Sequence, residues 1–335
     1  MTRPAGTGLA APVPALSRET SGMLLGLIGV AIFAMTLPFT RLAVAHLDPT
    51  FVALGRAIVA ALLAGVWLAC KRAPLPPRDA LPALAAVALG CVVGFPWLTS
   101  IAMRDLPASH GAVLCGILPL ATAVVAALRG GEKPSAGFWG MALLGSSLVL
   151  GFALRQSGGG FHTADLLMLG AVALAAFGYA EGGRLAGRIG GEGVICWALV
   201  LAAPTLLPLV LWLCRDDLAA ASRAPAVAWL AFAYVSAFSM LIGFFFWYRG
   251  MARGGVARVG QVQLLQPFLS MLGAALVLGE ALTLDNILFA LAVIAVVALG
   301  RAMRVVRNPV RNPVRNRVCD PVPDPVCAPV RRPAR

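Results

Sequence analysis

Apolar residues recur along this chain in blocks roughly twenty long, parted by short polar breaks, from residue 22 to residue 303. Ten blocks stand out: 22–41, 50–70, 80–101, 107–128, 136–154, 164–184, 193–214, 225–248, 257–279 and 284–303. Each is close to the roughly 20 residues that a helix needs to cross about 30 Å of hydrocarbon. Lipid offers backbone N–H and C=O groups no partners, so runs of this kind are predicted to be helices. The breaks carry turn chemistry: Asp48-Pro49, Pro76-Pro77, Lys133-Pro134, Gly158-Gly159-Gly160 and Gly190-Gly191. The pattern predicts an all-α polytopic membrane protein with ten transmembrane helices.

The blocks repeat. At an offset of 148 residues, Met103 meets Met251, Pro119 meets Pro267, Ala126-Ala127-Leu128 meets Ala274-Ala275-Leu276, and Gly131-Glu132 meets Gly279-Glu280. At an offset of 143, Arg41-Leu42-Ala43 meets Arg184-Leu185-Ala186, and Thr36 falls opposite Tyr179. A fixed-offset echo in an apolar chain marks duplication and points to transporter architecture. The expected units are a first five-helix repeat over 21–155 and a second over 161–304. A polar tail over 1–20 and a basic Pro/Val/Arg-rich tail over 305–335 are both expected to be disordered. Five helices per unit make the two repeats inverted across the membrane.

Composition agrees: 60% of the 335 residues are hydrophobic and 12% charged, and the mean hydropathy is +0.87. Soluble domains run at about 45–50% apolar and about 25% charged. The net charge of +13 has the sign of a nucleic-acid binder, but nine of the 27 Lys and Arg follow Gly300. Most others lie in loops, where they report topology. With a cytoplasmic N-terminus, twelve basic residues before the tail fall inside; five, Arg41, Arg104, Arg155, Arg215 and Arg223, fall outside. Positive-inside bias therefore supports both termini in the cytoplasm, and the plasma membrane is the expected location. The seven cysteines show no paired spacing, and His46, His110 and His162 are scattered, so neither a disulfide framework nor a metal site is indicated.

Ten spans in two inverted sets of five, with proline and Gly-Glu closing the fourth and ninth, resemble the EamA type of the drug/metabolite transporter superfamily. Leu47-Asp48-Pro49 leading into a helix that carries Arg56 belongs to the same likeness. The resemblance covers about 22–303. It implies a secondary transporter, an exporter by preference, that moves a metabolite, amino acid or drug-like solute by alternating access. The partners it implies are a small-molecule substrate and membrane lipid, with no nucleic acid and no cofactor. A passive channel is the alternative. An intramembrane enzyme is disfavoured because the chain has no HExxH, no GxSxG and no two intramembrane aspartates, and without a P-loop direct drive by ATP is disfavoured too.

Candidate chemistry is sparse. A charge mid-helix costs about 2.5–3.5 kcal/mol on insertion scales, so Arg56 is expected to face a cavity, a partner helix, or the outer surface by snorkelling. Glu181 has Arg184 three residues on and reads as an interfacial ion pair or as a proton-coupling carboxylate. Gln263, Gln266 and Ser270 recur at i, i+3 and i+7 and make one helix face polar, suited to a cavity or to interhelical hydrogen bonds. Pro267 is expected to kink that helix and free the carbonyl of Gln263, and Pro119 to kink its counterpart. Trp97, Tyr179 and Tyr234 are candidate cavity walls, while Trp247 and Tyr248 are assigned to the interfacial belt. Glu132 and Glu280 are expected to satisfy free N–H groups of the helix that follows each.

Overall fold

The computed structural model describes residues 18–130, 135–156, 162–215, 221–254, 259 and 262–302. Among these residues every regular element is helical. Seven runs are long and apolar enough to cross a membrane: Thr20–Val44, Pro49–Lys71, Arg78–Ala102, Ala108–Arg129, Thr163–Ile189, Gly191–Leu213 and Ala226–Gly254. Three apolar helices are shorter, Trp139–Arg155, Gln263–Leu278 and Leu284–Leu299, where the sequence predicts full spans. Much of the first part of the predicted ninth span lies outside the described residues, as do Glu132 and the tail from residue 303.

Proline and glycine punctuate these runs. The first run is α1 (Arg18–Ala34) and α2 (Thr36–Val44), broken at Met35. Pro38 has no N–H to offer the carbonyl of Ala34, four residues earlier, so the helix opens there. α3 (Pro49–Lys71) starts with proline in its first turn and Asp48 as its cap, the carboxylate accepting from the N–H of Thr50 at 2.7 Å and Phe51 at 3.0 Å.

The third run joins α4 (Leu81–Val87) to α5 (Phe95–Ala102) through π-helix over Ala88–Gly94. The missing N–H of Pro96 loosens the ladder at this point. In the fourth run, α6 (Ala108–Cys115) gives way to α7 (Leu118–Gly130). α8 (Ala136–Gln156), α9 (Thr163–Ile189) and α10 (Gly191–Leu213) follow. The eighth run repeats the design of the third: α11 (Ala226–Ala233), π-helix over Tyr234–Ile242, then α12 (Gly243–Gly254). A 3-10 turn, Gln263–Leu265, leads into α13 (Gln266–Leu278), and α14 (Leu284–Ala302) closes the bundle.

Both prolines of the repeat lie within the first turn of a fresh helix, α7 and α13, rather than at a mid-helix kink. The carbonyl of Gln263 is not free: it accepts the N–H of Gln266 in the 3-10 turn. Tightening the ladder to an i→i+3 bond satisfies the group that proline would otherwise orphan.

Close packing rests on small residues. α1 lies along α12, where a Cβ on Gly250 would stand 2.8 Å from the backbone nitrogen of Gly26 and one on Gly29 would stand 3.0 Å from that of Trp247. Glycine on both helices lets the backbones approach to van der Waals contact. Large apolar side chains such as Leu62, Val66, Leu143, Trp212, Leu230 and Leu276 are exposed on the outside of the bundle. Lipid tails are as apolar as leucine, so this exterior suits a bilayer. Trp247 and Tyr248 do not join an interfacial belt. They are buried at 2% and 0% exposure, with Trp247 against Phe33 and Tyr179, and Tyr248 against Phe244 and the glycines Gly182 of α9 and Gly191 of α10, because α12 is enclosed by α1, α9 and α10.

Candidate functional site

Midway along the bundle, seven of the runs meet around a cavity of about 20 Å³, room for roughly one water. Its polar lining is Thr36 of α2, Arg56 of α3, Tyr179 of α9, Ser239 of the second π-helix and Gln266 of α13; Cys91 and Cys115 and a ring of apolar side chains complete it. Residues from both halves of the chain face one another here. The π-helical turns supply Cys91 and Ser239, and such turns re-aim side chains that a regular helix would carry elsewhere.

Arg56 is the charge of this cavity. It is 2% exposed and does not snorkel. Its Nη2 donates to Ser239 Oγ at 3.1 Å, and Ser239 Oγ lies 2.8 Å from Thr36 Oγ1. Nε and Nη1 have no partner, and neither does Oε1 of Gln266. A buried guanidinium with two unfilled N–H directions is costly, and it is at its best with an anion that accepts from its fork.

The other sequence candidates distribute as follows. Tyr179 lines the cavity, packed edge-on to Phe244 with centroids 6.0 Å apart. The polar stripe of α13 divides by role: Gln266 faces the cavity, and Ser270 donates to the carbonyl of Ala34 at 2.7 Å, the group Pro38 leaves unbonded. Gln263 is buried with Nε2 unpartnered. Tyr234 stacks between Phe39 and Phe238 and donates to the carbonyl of Ile32 at 3.0 Å, apart from the cavity lining. Trp97 packs on the core with its indole N–H unpartnered and is likewise not in the lining.

Beyond the cavity each end of the bundle carries an ionic cluster. At one end Glu280, just past α13, accepts from the N–H of Ala108 at 2.8 Å and of Ser109 at 2.9 Å. It therefore caps α6, in the other half of the chain, and not the helix that follows it. The reason is geometric: α13 runs along α6, and its left-handed Gly279 (φ 68°) turns the chain so that the carboxylate meets the first turn of α6. Arg41 lies 3.6 Å from Glu280 and donates to the carbonyls of Met103, at 3.1 Å, and Leu106.

At the opposite end Glu181 is 4% exposed and takes Arg129 Nε at 2.8 Å and Arg184 at 3.3 Å. Arg188, on the same helix, pairs instead with Asp79 at 2.6 Å.

Sequence reasoning missed Thr36 and Ser239 as polar partners of Arg56, since serine and threonine in apolar helices are too common to single out. It also missed His110, whose Nε2 lies 2.7 Å from Asp165 Oδ1 with both side chains buried. Among the described residues no group of His, Cys, Asp and Glu is arranged to hold a metal ion.

The sequence profile of the EamA-like transporter family matches residues 20–153 and again residues 162–300. YdeK, an uncharacterized transporter of Bacillus subtilis (strain 168), is 47% identical over 286 residues, 85% of this chain and 99% of its own length. A crystal structure of an 18% identical protein superposes with a TM-score of 0.56 over 84% of this chain and 96% of that one, which is a likeness of fold alone.

Proposed function

The chain belongs to the EamA-like transporter family, and from there we propose that it is a secondary transporter carrying a small solute with a carboxylate or comparable anionic group across the plasma membrane, outward by preference. In this reading all ten apolar helices span the bilayer as two inverted repeats, 21–155 and 161–304, with both termini cytoplasmic. The repetition of α–π–α in the third and eighth runs, and a family match to each half, support the two-repeat reading. The observation that carries the substrate class is Arg56: two N–H groups buried without a partner, inside a cavity built from both halves.

The cavity holds about one water and ionic clusters lie at both ends of the bundle, so a solute is admitted only when one end parts. Alternating access needs an occluded form of this kind, and a passive channel does not. Arg56 and Gln266 would hold the anionic head of the substrate, with Tyr179, Thr36 and Ser239 around it. Glu181 with its two arginines, and Glu280 with Arg41, would act as clasps at the inner and outer ends.

Purified protein in liposomes provides the test, with a panel of small carboxylates and their neutral amides, with and without a pH gradient. Carboxylates are expected to move, amides at least about tenfold more slowly, and Arg56→Met to abolish the difference, a bidentate charged contact being worth roughly 1.5–3 kcal/mol. Equal rates for both classes, unchanged in Arg56→Met, would sink the assignment.

A further inference from the structure

A second and larger pocket, about 430 Å³, lies where the first turns of α6, α9 and α14 meet the chain leaving α13. Asp105, Ser109, His110, His162, Glu280 and Asn286 contribute to its lining. Nothing in it is shared with the central cavity. In its wall His110 of α6 faces Asp165 of α9 at 2.7 Å, so one residue from each half makes the contact. Asp165 has no exposed surface, and His110 is 5% exposed, with one edge reaching the pocket. Phe152 of α8 packs on the imidazole at a centroid distance of 4.8 Å, and Phe289 of α14 packs on Phe152 at 5.0 Å.

We propose that His110 is a proton-binding site reached from this pocket, and that its protonation opens the end of the bundle that Glu280 and Arg41 hold closed. In the closed form the neutral imidazole donates Nε2–H to the carboxylate of Asp165. A proton delivered by water through the pocket adds to the second ring nitrogen, leaving an imidazolium beside that carboxylate; no covalent bond other than this N–H forms or breaks.

Three features of the closed form resist the added charge. His110 is the third residue of α6, in the first turn, where the helix dipole opposes a cation. Phe152 covers one side of the imidazole, backed by Phe289, and offers little solvation. Asp165 stands in the first turn of α9, where its own charge is already met in part by that helix's N-terminal N–H groups. Parting α6 from α9 would wet both groups, so protonation and opening favour each other by linkage.

On the elements packed against α6, the other described ionisable groups toward this end are His162 and Asp165 around the start of α9 and Glu280 after α13. Asp285 in the first turn of α14, Arg155 in the last turn of α8, Arg41 in α2 with His46 and Asp48 just after it, and Arg104 and Asp105 preceding α6 itself also lie at this end. Arg155 and Asp285 pair with each other at 3.0 Å, and Arg41 with Glu280. His162 is the second histidine of the pocket and the necessary control.

The test reads accessibility and not transport, so its failure is separate from failure of the substrate assignment. It rests on the transport reading only for the existence of two states. Full-length protein in liposomes, with its native cysteines replaced, carries Ala164→Cys, a pocket-lining position 4% exposed in the closed form, and a membrane-impermeant maleimide is the probe. Labelling is measured from pH 8 to pH 5.5 and divided by that of the same protein with His110→Gln, which cancels the ionisation of the thiol. The ratio is expected to rise at least about fivefold toward low pH, the lower range of allosteric couplings. His162→Gln is expected to keep the rise. A flat ratio, or a rise lost with His162→Gln, overturns the proposal. His110→Asn substitutes for His110→Gln if that variant does not fold, with the same outcomes.

Discussion

At the residue scale, Arg56 sets the character of the centre. Its position in an apolar helix is plain in the sequence, but an arginine that is the eighth residue of α3 has length enough to reach toward the membrane surface. Only the packing of the second π-helix over α3 turns it inward, onto Ser239. Two roles remain for a buried guanidinium, binding and anchoring, and they differ in stability. Because Nε and Nη1 have no partner, replacing Arg56 with Met removes an uncompensated charge that costs about 2.5–3.5 kcal/mol on insertion scales, against one hydrogen bond of about 0.6 kcal/mol. Arg56→Met is therefore expected to melt in detergent at or above the parent temperature while losing transport. A melting point lowered by several degrees would make Arg56 an anchor of α3.

At the element scale, helix ends and breaks carry the design. Pro38, Pro96, Pro119 and Pro267 each interrupt a run, and the freed groups are taken up locally or across helices, as with Ser270 on the carbonyl of Ala34. The prolines are visible in the sequence; the partners are not, since they come from other runs. Glu280 shows the limit. Its place after a helix end suggests a cap, yet the helix it caps is α6, 171 and 172 residues away by its two hydrogen bonds. Glu280→Ala is expected to destabilise the protein by about 1–3 kcal/mol, from the loss of a cap and of charge-assisted bonds. Glu280→Gln, which keeps an acceptor, is expected to lose less. Unfolding of both variants in detergent checks the order; equal, negligible losses would show that α6 does not depend on this carboxylate.

At the scale of the whole molecule, the proposed topology makes a direct claim about sides. Leu75, exposed in the loop between α3 and α4, belongs inside, and Arg104, exposed between α5 and α6, belongs outside. In otherwise cysteine-free chains, Arg104→Cys is expected to react with an impermeant thiol reagent on intact cells, and Leu75→Cys only once the cells are opened. The reverse pattern would invert the molecule, and with it the assignment of inner and outer clasps. Family membership is untouched by that result, because it rests on sequence over nearly the whole apolar region.

Apolar block length and turn chemistry are local or periodic properties, and from them the sequence alone determined an all-helical, membrane-embedded chain. The family resemblance marked it as a transporter, and the offset echo supports the proposed two repeats. The sequence also marked Arg56, Tyr179 and Gln266, because polar groups are rare in such blocks. Which of the marked residues share a cavity, that Trp247 and Tyr248 turn inward, that Glu280 reaches across to α6, and that His110 finds Asp165 were decided by tertiary structure alone. The physical reason is the same throughout: a helix fixes which residues share its own face, but which neighbour that face meets depends on the close approach of glycine-lined helices and on where prolines and π-turns redirect the chain.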